Sequence, residues 1–215
     1  MIAFFDMDRT VLRINSGTAW VRFLRRRGEI SRLRMVRALG WALQYRLSIL
    51  DMEALSEKLV ADLAGDAETD MVAKCAVWYR DEIRHTIARD AERAIARHRA
   101  AGDRVVLLTS ATPYIARPLA ETLGLDGVIC SRLEVVGGRF TGRIVKPICY
   151  GAGKVHLAET WASERAVELG RTSFYTDSYT DLPMLERVGR PIAVNPDPRL
   201  LREARRRGWP VEKWT

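Results

Sequence analysis

Asp6 and Asp8 stand two positions apart, directly after a short apolar run at residues 2–5. In an extended segment residues i and i+2 point to the same side, so both carboxyl groups can face one substrate. Three further places along the chain carry matching chemistry. Ser110 follows Thr109 after the apolar run 105–108, Lys154 lies near the start of a helical stretch, and Asp177 follows the run 172–175 with Asp181 four residues on. Carboxylates repel a phosphate dianion, so a cluster of four needs a divalent cation. Three or four hard oxygen ligands without histidine or thiolate suit Mg²⁺. Ser110 and Lys154 can then grip non-bridging phosphate oxygens. One carboxylate attacks phosphorus and another protonates the leaving oxygen, a division of labour that the spacing of Asp6 and Asp8 suits.

These groups need a scaffold that brings distant positions together. Residues 2–5, 104–108, 128–130, 172–175 and 192–194 are short apolar runs of the kind buried on both faces of a sheet. Between them lie helical patterns: an alanine-rich segment ending before Gly102, residues 113–123 closed by Gly124, 154–162, 181–188, and a final helix opened by Asp197-Pro198. Residues 133–136 and 139–144, joined by Gly137-Gly138, predict a β-hairpin. Strands alternating with helices argue for an α/β fold, a Rossmann-like and mostly parallel sheet with helices on both faces. In such sheets ligands bind beyond the carboxyl ends of the strands, where the groups above fall.

One block breaks the alternation. Residues 14–86 read as helical throughout. Ser31 can cap a segment striped by Val36, Leu39, Leu43 and Leu47, and Asp51 one striped by Met52, Leu55, Leu59 and Leu63. A third carries Met71, Val72, Cys75 and Trp78. We expect a small α-helical cap at 14–86, inserted into a core formed by 1–13 and 87–215.

The run Asp6-Met7-Asp8-Arg9-Thr10, then Ser110, then Lys154, then Asp177 and Asp181, resembles the four ordered motifs of the haloacid-dehalogenase superfamily. The likeness covers essentially the whole chain and is closest to the phosphoserine-phosphatase-like branch, subfamily IB. It implies that Asp6 is the nucleophile forming an aspartyl phosphate. Asp8 would be the general acid and later the base, and Thr10 a support for the loop. Mg²⁺ would be bound by Asp6, the Asp8 carbonyl and Asp177, with Asp181 holding a metal-bound water. The acid at Asp8 favours phosphate over carbon–halogen chemistry, because the dehalogenases of the superfamily lack it.

The substrate is a separate question. Phosphoserine phosphatases resemble one another in a glutamate five residues after the motif threonine, which grips the substrate ammonium; here that position is Asn15, and an amide cannot supply the charge. Their cap arginine also has no counterpart in Glu57-Lys58-Leu59. Asn15 is therefore the candidate specificity residue. The expected substrate is a small phosphorylated metabolite of the phosphoserine or histidinol phosphate type. The alternative is a phospholipid headgroup, as in phosphatidylglycerophosphatases.

Composition bounds the rest. The net charge of +8 is concentrated in two arginine blocks, Arg22 to Arg37 and Arg199 to Arg207. Solvated helix faces explain them; an anionic membrane surface met by residues 20–47 is the sharper alternative. The alternative of another class is a binder of anionic membrane or nucleic acid without catalysis, which has no use for an acidic cluster that repels phosphates. No apolar run is long enough to span a bilayer. The five residues before Asp6 leave no room for a signal peptide, so the expectation is a cytoplasmic protein. Cys75, Cys130 and Cys149 lack metal spacing and are expected as reduced thiols. His85, His98 and His156 share no spacing with the site, and Trp20, Trp41 and Trp78 are expected in packing.

Overall fold

The computed structural model describes residues 1–30, 57 and 60–215. The two expected helices striped by Val36 to Leu47 and by Met52 to Leu63 lie outside those residues, save for the last few positions of the second.

Strand β1 (Ile2–Phe5) is buried at every position, and its alternation divides the core. Ala3 and Phe5 face one hydrophobic cluster while Ile2 and Phe4 face another. β1 can be central only if both its edges are paired, and they are. Strand β2 (Arg104–Thr109) lies parallel on one side and β6 (Thr172–Thr176) on the other, with Phe5 in register with Leu107 and Tyr175. β3 (Gly127–Cys130), β7 (Arg190–Val194) and the two-residue β8 (Val211–Glu212) complete a six-stranded parallel sheet ordered β3-β2-β1-β6-β7-β8.

The helices cover both faces. Ala91, Ala94 and Ile95 of α3 (Arg89–Ala100) and Ile115, Ala116 and Leu119 of α4 (Pro113–Leu123) pack with Phe5. Ala158 and Ala162 of α5 (Ala152–Ser163), Met184 and Leu185 of α6 (Leu182–Leu185), and Leu200 and Ala204 of α7 (Pro198–Arg207) pack with Phe4. α6 is shorter than the expected 181–188. Asp181 does not cap it, because its carboxylate is engaged elsewhere, and the turn opens instead as a 3₁₀ segment at Tyr179–Asp181. The hairpin of β4 (Arg132–Val136) and β5 (Arg139–Val145) forms as expected. Gly137 and Gly138 supply the two positive φ values, 57° and 76°, that its tight turn requires.

Between β1 and β2 the described residues include α1 (Ser16–Arg26) and α2 (Glu68–Trp78). Trp20 of α1 packs on Phe23 and on Trp78 of α2, with ring centroids 5.4 and 4.9 Å away. The aromatic side of α1 therefore faces protein, while Arg26 pairs with Glu82 and Arg27 with Glu29. The segment also holds to its neighbours by polar contacts. Tyr79 donates to Thr122 at 2.6 Å, Tyr114 to Glu68 at 2.8 Å, and the Glu68 amide to the Gly138 carbonyl at 2.9 Å. No helix among the described residues is long and apolar enough to cross a membrane.

Candidate active site

Asp6 is the first residue past β1, and its amide donates to the Tyr175 carbonyl of β6 at 2.9 Å. That fixes it at the carboxyl edge of the sheet. From the other face comes Lys154, in the first turn of α5. The helix can start there because Gly153 passes close to the preceding turn; a Cβ at that position would lie 2.0 Å from the Ile148 carbonyl oxygen. Lys154 Nζ donates to Asp6 Oδ1 at 2.7 Å and to Asp181 Oδ2 at 2.8 Å. Thr176 Oγ1 adds a 2.6 Å bond to the same Asp181 oxygen. Asp6, Lys154 and Asp181 are all buried, at 8%, 3% and 2% exposure, so these are low-dielectric ion pairs whose geometry is over-determined.

Asp8 is held by a different element. Its Oδ1 accepts the Ser16 amide at 2.9 Å, and its Oδ2 accepts Asn15 Nδ2 at 3.0 Å and Ser16 Oγ at 3.1 Å. Asn15 Oδ1 in turn accepts the Thr18 amide at 2.9 Å, which makes it the N-cap of α1. Thr10 is fully buried, and its hydroxyl has no hydrogen-bond partner among the described residues. Asp177 follows β6, and Ser110 stands exposed just past the end of β2. The structure thus gathers every expected site residue along one edge of the sheet. It also adds three that the sequence did not single out: Ser16, Thr176, and Asn195, whose Nδ2 donates to the Arg9 carbonyl at 3.2 Å. Ser16 carried a signal, as a small polar residue beside the candidate Asn15. Thr176 and Asn195 carried none.

The charges do not balance. Burial, the largest cause, pushes Asp6 up to about 7; Lys154 opposes the rise, while Asp181 and Asp8 add to it. Burial raises Asp8 too, against the Ser16 bonds. Asp177 is driven well above the usual carboxylate range by burial and then by Asp6 and Asp181. Burial works against the charge on Lys154, but Asp181 and Asp6 outweigh it and keep the ammonium protonated. One ammonium, with the Arg9 guanidinium nearby, among four carboxyl groups leaves an excess that an added cation would relieve.

Which groups could hold one follows from who is occupied. No three His, Cys, Asp or Glu side chains among the described residues form a ready metal cage. Lys154 takes one oxygen of Asp6 and one of Asp181, and Asp8 turns its carboxylate to α1. That leaves the second oxygens of Asp6 and Asp181 and the carboxylate of Asp177; of these the family resemblance takes Asp6 and Asp177 as direct ligands and adds the Asp8 backbone carbonyl. Two carboxylates and a carbonyl fit Mg²⁺, which keeps several waters and seldom takes a cage made wholly of protein. The histidines stay outside: His98 is buried between Asp103 and Tyr175. The three cysteines are free, with the Cys75 thiol pushed up to about 12 by burial.

The model of the haloacid dehalogenase-like hydrolase family matches residues 3–186. A protein of Mycobacterium tuberculosis named phosphoserine phosphatase SerB1 is 35% identical over 97% of this chain and 69% of its own length. A histidinol-phosphatase of Neisseria meningitidis is 30% identical over 98% of this chain and 97% of its own. Among solved structures, a protein of unknown function from Bordetella pertussis superposes with a TM-score of 0.88 at 33% identity, over 98% of this chain and 97% of that one. The chain belongs to the haloacid dehalogenase-like hydrolases. Within them it is a phosphatase, a phosphoric monoester hydrolase.

Proposed function

We propose that the chain hydrolyses the phosphate ester of a small metabolite, with Mg²⁺, by way of an aspartyl phosphate on Asp6. The observation that carries this is the 2.7 Å contact between Lys154 Nζ and Asp6 Oδ1. A buried ammonium aligned on one carboxylate oxygen holds the other free to attack, and it sits where a transferred phosphoryl oxygen arrives. Ser110, at the end of the neighbouring strand, supplies a second donor to that phosphoryl group. Asp8 gives its proton to the leaving oxygen, and burial, which raises its pKa above the usual carboxylate range, favours the protonated form that this needs. It then takes a proton from the water that releases phosphate from Asp6. Asp6, the Asp8 carbonyl and Asp177 would hold Mg²⁺, which when bound would supply positive charge beside the phosphoryl oxygens. Asp181 fixes Lys154, and Thr10 supports the loop.

Residues 14–86 act as the cap that closes over the strand ends and excludes water. The relatives' names support phosphoserine or histidinol phosphate as the substrate type. A lipid headgroup draws less support, since the described part of the arginine-rich stretch turns its aromatic residues inward.

The test is a panel of phosphorylated metabolites and an aryl phosphate, with and without Mg²⁺. Acid-quenched samples are searched for a phosphoryl group on the Asp6 peptide. We expect Mg²⁺-dependent release of phosphate and label at Asp6. If Asp6→Asn kept more than about a hundredth of the wild-type rate, the assignment would be wrong, because losing a nucleophile costs several orders of magnitude.

A further inference from the structure

Arg9 lies between the proton donor and buried Thr10, and its backbone is strained. Its φ is +55°, in the left-handed region that a glycine enters freely and an arginine does not. The conformation is held from both sides. The Arg9 amide donates to the Ile14 carbonyl at 3.0 Å, and the Arg9 carbonyl accepts from Asn195 Nδ2 at 3.2 Å. A strained position kept by two hydrogen bonds, and filled by a long cationic side chain, points to use of that side chain.

The neighbouring cations are already engaged. Lys154 is taken by Asp6 and Asp181, and Arg13 donates to the carbonyls of Thr86 and His85. The half-buried Arg9 has no hydrogen-bond or ion-pair partner for its guanidinium among the described residues. Its charge is nonetheless felt at Asp8 and Asp177, where it offsets part of the rise that burial causes.

A proton donor must touch the leaving oxygen, so a cation one residue from the donor, with its charge felt there and no ion-pair partner among the described residues, is within reach of the part of the substrate beyond that oxygen. The geometry points to Arg9 as a specificity-determining residue that receives a carboxylate on the leaving group, a few bonds from the ester oxygen. This rests on the phosphatase reading of the same site. A guanidinium offers a planar fork that a carboxylate matches with two parallel bonds. Asn15, the nearest cap residue, cannot take over this task, because both ends of its amide are engaged by Asp8 and Thr18.

Two substrate pairs that differ by a carboxylate test the assignment: phosphoserine against phosphoethanolamine, and phosphoglycolate against ethyl phosphate. In wild type we expect kcat/KM to favour the carboxylate member. In Arg9→Gln that preference should fall by about ten- to a hundredfold, the range for a lost charge-assisted pair, and mainly through KM. Arg9→Lys should keep part of it. Arg9→Gly suits the left-handed backbone and should behave like Arg9→Gln, which guards against a folding artefact. A wild type without preference, or a preference unchanged within about twofold in both pairs, overturns the inference, since losing phosphoryl or loop contacts would slow both members alike. Turnover of an aryl phosphate without a carboxylate effect sinks this inference alone. Absence of Mg²⁺-dependent turnover on every ester sinks the phosphatase reading, and this inference with it.

Discussion

Asn15 Nδ2 lies 3.0 Å from Asp8 Oδ2, and the same side chain caps α1 through the Thr18 amide. One residue therefore starts a helix and holds the carboxyl group assigned as proton donor. Two further bonds from Ser16 leave Asp8 bound wholly at the N-terminal end of α1, where the helix dipole favours negative charge. Any shift of α1 against the sheet carries the donor with it.

Removing that link should show in both stability and chemistry. Asn15→Ala loses an N-cap, worth about 0.5–2 kcal/mol, and Tm should fall by a few degrees. Activity should fall more on alkyl phosphates than on aryl phosphates, since a poor leaving group depends more on a well-placed acid. Asn15→Asp keeps the cap but sets a second carboxylate against Asp8, so it should spare Tm and still impair turnover. Equal losses on alkyl and aryl esters for Asn15→Ala would show that Asn15 does not act through Asp8.

Lys154 is the only described cation bonded to both Asp6 and Asp181. Replacing it by Met leaves two buried carboxylates without their cation, Asp181 keeping only the Thr176 hydroxyl, at a cost of roughly 3–5 kcal/mol. Lys154 also opposes the rise of Asp6, so without it Asp6 takes up a proton more readily. The penalty should thus be smaller at pH 5 than at pH 8, and Lys154→Met/Asp181→Asn should recover part of it. Urea unfolding at the two pH values measures this; an equal penalty at both would contradict the ion-pair account.

The crowded carboxylates make a second, opposite prediction. A carboxyl whose folded pKa lies above its unfolded value near 3.8 binds more protons in the native state, so stability falls as pH rises through that interval. For Asp6 the interval runs from 3.8 to about 7. Asp177 is shifted in the same direction, and Asn there removes a charge that Arg9 offsets only in part. In EDTA, Asp177→Asn should melt a few degrees above wild type at pH 8, and the gap should close near pH 4. Adding Mg²⁺ should raise wild type more than the variant. A variant that melts lower at pH 8 would show that Asp177 is stabilised by its surroundings.

How much of this could be read beforehand depends on whether a feature is local. β1, the hairpin turn at Gly137-Gly138 and the Asp197-Pro198 opening of α7 are set by neighbouring residues, and they form as the sequence predicts. The motif order also placed Asp6, Lys154, Asp177 and Asp181 on strand ends and a helix start, where they are found. The start of α6 was misjudged because the fate of Asp181 is decided by Lys154, 27 residues away. β8 has two residues and shows no alternation to detect. Asn15 illustrates a subtler gap. Its position marked it as a site residue, but its capping role and its grip on Asp8 depend on how α1 approaches the loop. Asn195 is farther still, meeting Arg9 across 186 positions.

The pairing of β1 between β2 and β6 has a consequence for the newborn chain. Asp6 is synthesised before its ammonium partner, which lies 148 positions later, and Asp177 and Asp181 follow later again. Such contacts form late, because distant segments must meet before they reward one another. A ribosome-bound chain therefore carries a lone aspartate and no catalyst. On the proposed mechanism activity needs β6 docked beside β1, so hydrolysis should serve as a reporter of completed folding. Refolding followed by phosphate release should lag behind the recovery of helical signal from α3 and α4.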